Sequence, residues 1–341
     1  FKIFLILASH IFALELLDYR NLIKFDRVNY EELNFITYLK RASGNITYGV
    51  SHMSGNVITV NNAQELEQAF ANATDGDVIE LAAGDYGFVR LRFKSFNEKV
   101  TIRGAEEGES GFETVIIEDV ENVSFVNIVS EAGNPEGSKA YRAAVRVDDS
   151  KDISFTDSEF RGTLDGIHDN NASGVSFRDS QNVSITDSLF LEVNGGISAV
   201  FSQNLTITNN RFEGIRQDGL ILGAVDDVLI ENNDFGQFIT DVDNSRIHAG
   251  IIQFYTANVD QGSSNVVIRG NVSLQGLEEN FPIGGIFFRD EAGGNRFNNI
   301  LIEDNLIYTR DQDSITVGSS DNVVIRNNTV INSPTSTGFT G

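Results

Sequence analysis

The sequence predicts an all-β fold, a right-handed parallel β-helix (solenoid) with a short N-terminal capping helix. One frame recurs along the chain: Asn182 begins a short alternating run that leads to Phe190, and Asn204 begins a similar run that leads to Phe212. Internal similarity at a period of roughly 20 to 30 residues is the signature of a repeat architecture. Within each repeat, apolar and polar residues alternate with period two, which indicates strands and not helices.

Equivalent residues should stack into columns along the solenoid. A coil of about 22 residues holds three short strands and three turns, and paired strands lie about 4.8 Å apart. The first polar column is therefore predicted to form an amide ladder, and the aromatic column should face inward and fill the tube. The first polar column is Asn122, Asp152, Asn182, Asn204, Asp227, Asn265, Asn299 and Asn322; the second is Asn210, Asn233, Asn271, Asn305 and Asn328; the apolar column is Phe160, Phe190, Phe212, Phe235, Ile307 and Val330.

Composition narrows the classes of protein. The 341 residues include 31 Gly and only 3 Pro, and one elongated repeat domain fits this length because solenoids escape the usual size limit of a single core. The absence of cysteine excludes disulfides and cysteine-based metal or nucleophile chemistry. The net charge of -24 argues against nucleic acid or an anionic membrane as a partner.

Residues 1–52 differ from the rest of the chain. They hold 6 Lys and Arg and 5 Asp and Glu, against 25 and 49 in the whole sequence, so nearly all the acidity follows them. Their apolar run is too short for a membrane span of roughly 20 apolar residues. We interpret residues 1–52 as an atypical segment that is not part of the native domain, and residues 53–341 as the β-helix. The alternative is a helical anchor used in oligomerisation or export.

The β-helix should open with a cap. Val57–Val60 is predicted as a strand, and Asn62 with Glu65 forms the start of a short amphipathic helix. The turn at residues 75–77 then leads into the strand Val78–Leu81. Solenoids need a cap over the first coil, and this helix is well placed to be one. Residues 331–341 are rich in Ser, Thr, Pro and Gly, so we expect the sequence to stop inside a longer protein.

These features carry a resemblance. The segment 62–84, followed by coils with asparagine ladders, resembles the entry to the pectate-lyase-like β-helix superfamily, which includes alginate and pectin lyases, mannuronan C5-epimerases and phage tailspikes. The run His248–Tyr255 is similar to a His-x-Asp-x-Ile-Gln-Phe-Trp run of secreted, calcium-binding bacterial β-helix proteins, with Gly250 in place of the Asp. The resemblance implies a secreted protein that acts on a polysaccharide, with Ca²⁺ as its cofactor.

Three coils carry longer connections after the apolar column. The segments 161–172, 236–249 and 274–284 should leave the solenoid at one corner and line one side, where binding usually occurs on a rigid scaffold. Both histidines of the β-helix lie there, three coils or about 14 Å apart. The titratable groups at this corner are Arg161, Asp165, His168, Arg216, Asp218, Asp241, Asp243, Arg246 and His248.

A lyase or epimerase needs a cation to neutralise the uronate carboxylate and a base to remove the C5 proton. His248 or His168 could be the base and Arg216 or Arg246 the neutraliser, with Tyr255 as proton donor. Substrate-binding roles fall to Arg161, Asp165, Asp241 and Asp243.

Other interpretations remain open. A hydrolase would use a carboxylate pair such as Asp218 and Asp241. Alternatively, arginines and aspartates at turns form solvated ion pairs between coils. Gln253 is predicted to point inward. The cluster at residues 289–296 is interpreted as structural, and the acidic pairs at 148–149, 226–227 and 241/243 offer oxygen ligands for Ca²⁺ without the spacing of a known loop.

Three functions are compared. The first is a secreted polysaccharide lyase or C5-epimerase acting on a uronate polymer. The second is a non-catalytic surface or adhesin module that binds glycans or calcium. The third is a phage tailspike subunit, in which residues 1–52 attach to the virion; the sequence leaves monomer and trimer undecided. The acidic charge opposes a polyanionic substrate unless Ca²⁺ bridges the two or the binding surface is locally basic.

Overall fold

The chain folds into a right-handed parallel β-helix, as the sequence predicted. The computed structural model describes residues 55–133, 143–164, 171–239, 249–274, 283–309 and 314–332. One helix, α1 (Ala63–Asn72), precedes most of the strands. The strands are β1 (Val57–Val60), β2 (Val78–Leu81), β3 (Gly84–Asp85), β4 (Phe88–Arg103), β5 (Ser110–Phe112), β6 (Thr114–Val126), β7 (Val129–Glu131), β8 (Ala143–Asp148), β9 (Lys151–Thr156), β10 (Glu159–Arg161), β11 (Ser173–Arg178), β12 (Gln181–Thr186), β13 (Leu189–Leu191), β14 (Ile197–Val200), β15 (Gln203–Thr208), β16 (Arg211–Glu213), β17 (Leu220–Gly223), β18 (Asp226–Glu231), β19 (Asp234–Phe235), β20 (Gly250–Tyr255), β21 (Ser264–Arg269), β22 (Val272–Leu274), β23 (Gly284–Arg289), β24 (Phe297–Glu303), β25 (Leu306–Thr309), β26 (Ile315–Val317), β27 (Ser320–Arg326) and β28 (Thr329–Asn332).

From β4 onward, each coil contributes to all three parallel ladders. We call them the first, second and third sheets, in the order in which a coil passes through them. The long strands β4 and β6 bend from the first sheet into the second and join these two into one 18-stranded sheet, while the third sheet has 10 strands. The first sheet contains parts of β4 and β6, then β8, β11, β14, β17, β20, β23 and β26; the second contains β1, β2, parts of β4 and β6, then β9, β12, β15, β18, β21, β24 and β27.

The predicted apolar column fills the tube from the third sheet. Phe160, Phe190, Phe212 and Phe235 are fully buried, and consecutive rings stack with centroids 4.6 to 4.9 Å apart. The column continues through Ser273 to Ile307 and Val330. Offset stacking of this kind stabilises aromatic pairs beyond the burial of their area, so each ring also fixes the position of the next coil.

The second polar column forms a continuous buried ladder. Asn271 shows the pattern: its Nδ2 donates to Ile230 O and Asn305 Oδ1, both at 3.0 Å, and its Oδ1 accepts from the backbone N and Nδ2 of Asn233 at 2.9 Å. Asn210, Asn305 and Asn328 repeat this arrangement on other coils. Because each amide satisfies buried backbone groups of the adjoining coil, the ladder ties neighbouring coils together.

The first polar column lies at an exposed turn, where its residues have positive φ. Asn182 (φ 53) donates to Asp152 Oδ1 at 2.8 Å, and Asn204 (φ 54) donates to Asn182 Oδ1 at 2.7 Å. The ladder resumes where Asn265 donates to Asp227 and Asn299 donates to Asn265. Asn and Asp tolerate the left-handed region better than other residues with a side chain, which explains why this turn selects them.

The predicted cap is present. The Asn62 side chain accepts from Glu65 N at 2.9 Å, and the Glu65 carboxylate accepts from Asn61 N at 2.8 Å. Leu66 and Phe70 of α1 are buried in the same core as the first coils. The helix therefore covers the N-terminal end of the tube, and Val78–Leu81 follows as predicted.

One sequence expectation was wrong. Gln253 does not point inward, because Ile252 and Phe254 on either side of it are fully buried and the strand alternates. Gln253 is half-buried on the outer face of the first sheet, beside Ile221 and Phe287. Because the side chains of Ile251, Ile252 and Phe254 are all buried, the strand does not alternate regularly in the sequence. The sequence alone therefore does not show which of its side chains point inward.

Removal of one buried ladder amide should destabilise the solenoid far more than removal of an exposed one. Asn271→Ala leaves the backbone N of Asn233 and the carbonyl of Ile230 without these partners, at about 1 to 3 kcal/mol per buried group. Asn265→Gly, the matched control, keeps the positive φ without steric cost and should change stability by about 0.5 kcal/mol or less. Urea unfolding of both variants measures the difference; equal losses would contradict a stabilising role for the inner ladder.

Candidate functional site

The outer face of the first sheet is the basic surface of an acidic chain. Its outward residues follow from the alternation of β4, β6, β8, β11, β14, β17, β20 and β23, in which the flanking positions are buried. These outward positions carry five arginines and two carboxylates: Arg90, Arg92, Arg146, Arg178 and Arg289, with Glu118 and Asp148. We call this surface the first-sheet face.

Two of these arginines are neutralised on the face itself. Arg92 pairs with Glu118 at 2.8 Å, and Arg146 pairs with Asp148 at 2.6 Å. Among the described residues, neither Arg90 nor Arg178 forms an ion pair, and Arg90 lies over the Phe88 ring with its Cζ 4.6 Å from the centroid. The face therefore keeps positive charge available in a chain whose net charge is -24.

Asp218 occupies one edge of this face, where the chain passes from the third sheet to the first. Its backbone O accepts from Gly196 N at 3.0 Å, and its side-chain Oδ1 accepts from Gly250 N at 3.0 Å. Asp218 thus joins the coil before it to the coil after it. Its carboxylate takes a place in the ladder of backbone hydrogen bonds at this corner.

Burial raises the pKa of Asp218 from 3.8 to about 7, although the hydrogen bond from Gly250 N acts in the opposite direction. Desolvation disfavours the charged form of a carboxylate, and one backbone donor only partly compensates. Near neutral pH the group is therefore divided between its acid and base forms. A carboxyl with such a pKa in a surface site is a candidate for proton transfer.

Arg216 lies at the same corner, two residues before Asp218. Its backbone N donates to Val193 O at 3.2 Å, and the N of the next residue, Gln217, donates to Asn194 O at 2.7 Å. The side chain of Arg216 is half-buried. Arg216 and Asp218 therefore lie on one short turn between β16 and β17.

Tyr255 lies at the opposite edge of the first-sheet face. Its ring covers Gly223 on the preceding coil, so closely that a Cβ added there would lie 2.6 Å from Tyr255 Cζ. Burial raises the pKa of Tyr255; the nearby charge of Arg178 lowers it and that of Glu291 raises it. A glycine at position 223 therefore makes room for an aromatic ring lying along the face.

Asp218 and Tyr255 do not converge. Asp218 bonds to Gly250, the first residue of β20, and Tyr255 is the last residue of that strand. Five residues at about 3.3 Å each separate the two edges by roughly 16 Å. A proton donor and its partner must lie within hydrogen-bond reach of one substrate unit, so Tyr255 and Asp218 do not act on the same sugar.

Arg161 lies on another surface and is fully engaged there. From the outer side of the third sheet it contacts Glu131 at 2.9 Å, Glu109 at 2.8 Å and Glu159 at 3.2 Å. Burial opposes its charge, but the hydrogen bonds and charges of these carboxylates outweigh burial and raise its pKa. These contacts match the alternative interpretation of ion pairs between coils.

The other predicted site residues lie outside the described residues. They are Asp165, His168, Asp241, Asp243, Arg246 and His248. The three longer connections, at residues 161–172, 236–249 and 274–284, each lead from a strand of the third sheet to a strand of the first. The described residues at their ends lie at the same corner as Asp218. The backbone N of Gly250, two residues after His248 in the sequence, donates directly to Asp218.

The arginines of the strands were not predicted as site residues. Arg146 on β8 and Arg178 on β11 both lie on the outer face but in adjacent columns, because Arg146 is in register with Ser176 and Arg178 with Asp148. An alignment of the first strand of each coil would have shown both as outward positions. The cluster at 289–296 is held by hydrogen bonds and ion pairs at turns: the Thr256 hydroxyl donates to Asp290 at 2.7 Å, and Arg296 pairs with Asp321 at 2.6 Å.

Within the described ranges, no three acidic or histidine side chains gather into a metal site.

Comparisons with known proteins support the fold. The family model described as "Right handed beta helix region" matches residues 113–251. An alginate lyase from Paenibacillus sp. str. FPU-7 has 17% identity and a TM-score of 0.59, covering 81% of this chain and 95% of that one. PfbA, a surface adhesin of Streptococcus pneumoniae, has 15% identity and a TM-score of 0.52, covering 79% and 81%.

A GH136 lacto-N-biosidase from Eubacterium ramulus has 13% identity and a TM-score of 0.53, covering 89% of this chain and 70% of that one. A search of curated proteins returned no significant match. The chain therefore has a right-handed parallel β-helix fold, which confirms the fold that the resemblance in the sequence implied. No helix among the described residues has the length and apolarity needed to cross a membrane.

The raised pKa of Asp218 should appear as a pH-dependent stability. A carboxyl whose pKa rises on folding stabilises the protein below its unfolded pKa of 3.8, and this stabilisation is lost as pH rises to about 7. The melting temperature of the wild type should therefore fall relative to Asp218→Asn over that window and then level off.

Asp290→Asn provides a control of opposite sign. The Thr256 hydroxyl, despite desolvation, and the backbone N–H groups of Gly293, Gly294 and Asn295 lower the pKa of Asp290. Its stabilisation is therefore present above pH 3.8 and is lost as pH falls below that value. Thermal unfolding of the three proteins across pH measures both differences. A difference for Asp218→Asn that does not vary with pH would show that Asp218 is not desolvated.

Proposed function

We propose that this chain is a secreted protein that binds an acidic polysaccharide on its first-sheet face, and that the corner of Asp218 performs lyase or C5-epimerase chemistry on it. The observation that carries the proposal is the concentration of arginines on one face of a strongly acidic solenoid. Arg178 is exposed there without an ion pair among the described residues, and Arg289 is exposed with Glu291 3.9 Å away. A locally basic surface removes the objection that an acidic protein repels a polyanion.

The proton chemistry fits the corner of Asp218. In its ionised form Asp218 would accept the C5 proton of a uronate unit, while Arg216 on the same turn neutralises the uronate carboxylate. Elimination then breaks the C4–O4 bond, leaves a C4–C5 double bond and releases O4, which takes up the proton held by Asp218 or one from water; epimerisation instead returns a proton from water to the other face of C5. His248 and Arg246 remain candidate base and neutraliser beside Gly250. No step uses Ca²⁺.

The opposite edge would serve binding. Tyr255 offers an aromatic ring and a hydroxyl about 16 Å from Asp218, and Arg178 offers a cation for a second carboxylate. Gln253 and Ser198, on the outward row between the edges, can hydrogen-bond sugar hydroxyls. A polymer lying along the strands, from one edge of the sheet to the other, would touch both edges with different sugar units.

A second candidate is a surface module that binds glycans without catalysis. The separation of Tyr255 from Asp218 favours this second candidate. Among the described residues, Asp218 is then the one titrating group near the sugar unit that would react. The similarity to a pneumococcal surface adhesin adds fold-level support. A hydrolase would require a second carboxylate beside Asp218, for which Asp241 is the candidate from the sequence.

Binding and catalysis are tested with separate variants. Arg178→Glu should weaken binding of alginate or polygalacturonate by about tenfold to a hundredfold, since a charge-assisted hydrogen bond contributes roughly 1.5 to 3 kcal/mol. Arg103→Glu makes the same charge change on the second sheet, where Arg103 pairs with Glu80, and should leave binding unchanged. Equal effects of the two substitutions would show that only net charge matters and would remove the first-sheet face as the binding surface.

Catalysis is followed by the ultraviolet absorbance of unsaturated uronates and by exchange of the C5 proton in deuterated water. Asp218→Asn should abolish whichever signal the wild type gives and keep polymer binding, while Asp260→Asn, at an exposed position, should keep both. Binding without either signal in the wild type would establish the adhesin function. A wild type that binds no acidic polymer would sink both functions.

A further inference from the structure

The outer face of the second sheet changes character along the solenoid. In the N-terminal coils its central row is a file of hydroxyls: Thr101, Ser124, Ser154, Ser184 and Thr206. Thr101 and Ser124 bond to each other at 3.1 Å. Strand propensity alone would favour β-branched aliphatic residues in this row throughout, so the hydroxyls mark these coils as a solvated face.

From the next coil onward the same row is aliphatic. Leu229, Val267, Leu301 and Val324 follow Thr206 in register, and we call them the apolar file. They point outward, because the residues flanking each of the first three are buried in the core. Leu229, Val267 and Leu301 are half-buried on this face. Four consecutive aliphatic side chains on a flat outer face form a contiguous patch of the kind that marks an interaction site.

A charged file borders the apolar file on one side. Glu231, Arg269, Glu303 and Arg326 are in register two residues further along each strand. Their signs alternate, and within the chain Arg269 pairs with Glu231 at 2.7 Å and Arg326 with Glu303 at 2.6 Å. The file is therefore neutral as a whole, with a strict order of negative, positive, negative, positive.

An amide file borders the apolar file on the other side. Asp227, Asn265, Asn299 and Asn322 are its members, and Asn265, Asn299 and Asn322 each donate to the preceding residue at 2.9 to 3.2 Å. It carries a single charge, at Asp227. The whole patch is thus one aliphatic row between two rows of paired polar groups, and it lies on a different sheet from the first-sheet face.

This order of charges is complementary to itself when reversed. If a second copy packs face to face with its solenoid axis antiparallel, a two-fold axis perpendicular to the solenoid places each file opposite the same file in reverse. Glu231 then faces Arg326 of the second copy, and Arg269 faces Glu303. In the amide file Asp227 faces Asn322. Every charge meets an opposite charge or an amide, as a self-complementary two-fold interface requires.

The parallel alternative lacks this match. With the two-fold axis along the solenoid, the charged file of one copy would face the amide file of the other at the same coil. Glu231 would then face Asp227, so two carboxylates would oppose each other across a partly apolar interface. Juxtaposed like charges suppress the wrong arrangement of partners. The charge pattern therefore selects the antiparallel arrangement.

We propose that the apolar file and its two flanking files form a homodimer interface, in which two copies of this chain pack through their second sheets in antiparallel orientation. The aliphatic rows supply the burial, and the charged files supply register and orientation. Four coils at about 4.8 Å and three outward positions per strand give a core contact of only about 14 by 13 Å. Stable interfaces bury roughly 800 Å² per partner, so this dimer is weak and dissociates on dilution.

Sedimentation velocity over a concentration series of the full chain tests the dimer. The wild type should move from monomer to dimer as concentration rises, and Leu301→Ser, which extends the hydroxyl file of the other coils, should weaken the association at least tenfold. Ser184→Ala, outside the patch on the same row, is the matched control and should associate as the wild type does. A wild type that stays monomeric, forms trimers, or is unaffected by Leu301→Ser would overturn the proposal.

A charge swap separates the interface from a merely structural role of the same residues. Arg269→Glu places a carboxylate opposite Glu303 of the second copy, twice per dimer, and should weaken association about tenfold. The double variant Arg269→Glu with Glu303→Arg restores opposite signs across the dimer, yet within each chain it puts like charges side by side.

The double variant should therefore regain dimerisation while its melting temperature stays below that of the wild type. If dimerisation instead follows the melting temperature and is not regained, the charged file acts only within the chain and the proposed interface is wrong. Polysaccharide binding on the first-sheet face is expected to be unchanged in all these variants, so the outcome is independent of the proposed function.

Discussion

The structure depends on the register between successive coils. Parallel backbone pairing sets their spacing, but a slip by one residue would exchange every inward and outward side chain. The buried amides prevent such a slip, because Asn233 and Asn271 can satisfy the backbone groups of their neighbours only in one alignment. The stacked phenylalanines also fix the register, since Phe190 and Phe212 overlap with nearly parallel rings.

Fixed register turns sequence position into surface chemistry. An outward residue on one coil lies next to the residue in register with it on the following coil. Each column of a surface therefore consists of residues spaced by one coil in the sequence. The first sheet carries Arg146 and Arg178 at outward positions of neighbouring coils, in adjacent columns. The second sheet uses the fixed register to alternate Glu231 and Arg269. The chain can thus be strongly acidic overall and still present one basic face and one electrically neutral face.

The same columns decide what the sequence could predict. The ladders, the aromatic column and the cap of α1 were predictable, because each depends on residue types that recur at a fixed period or on a local hydrogen-bond motif such as Asn62 with Glu65. The site was predicted less well. Its residues were grouped by the connections they sit near, and Arg161, in fact, belongs to the outer side of the third sheet. Tyr255 was grouped with Asp218 although a full strand separates them. Such distances follow from the coil path and not from proximity in sequence.

The rigidity of the scaffold constrains how this site can work. Asp218 and Tyr255 are held at the two ends of β20 by hydrogen bonds of a continuous sheet, so a small motion cannot close the roughly 16 Å between them. A substrate must therefore be long enough to reach from one edge to the other if both are to contribute. The edge at Tyr255 then adds affinity for the polymer, and the edge at Asp218 provides the titrating group. Binding energy from remote sugar units would hold the reacting unit at Asp218, which is how a shallow surface site on a rigid solenoid can achieve positioning without a closing lid.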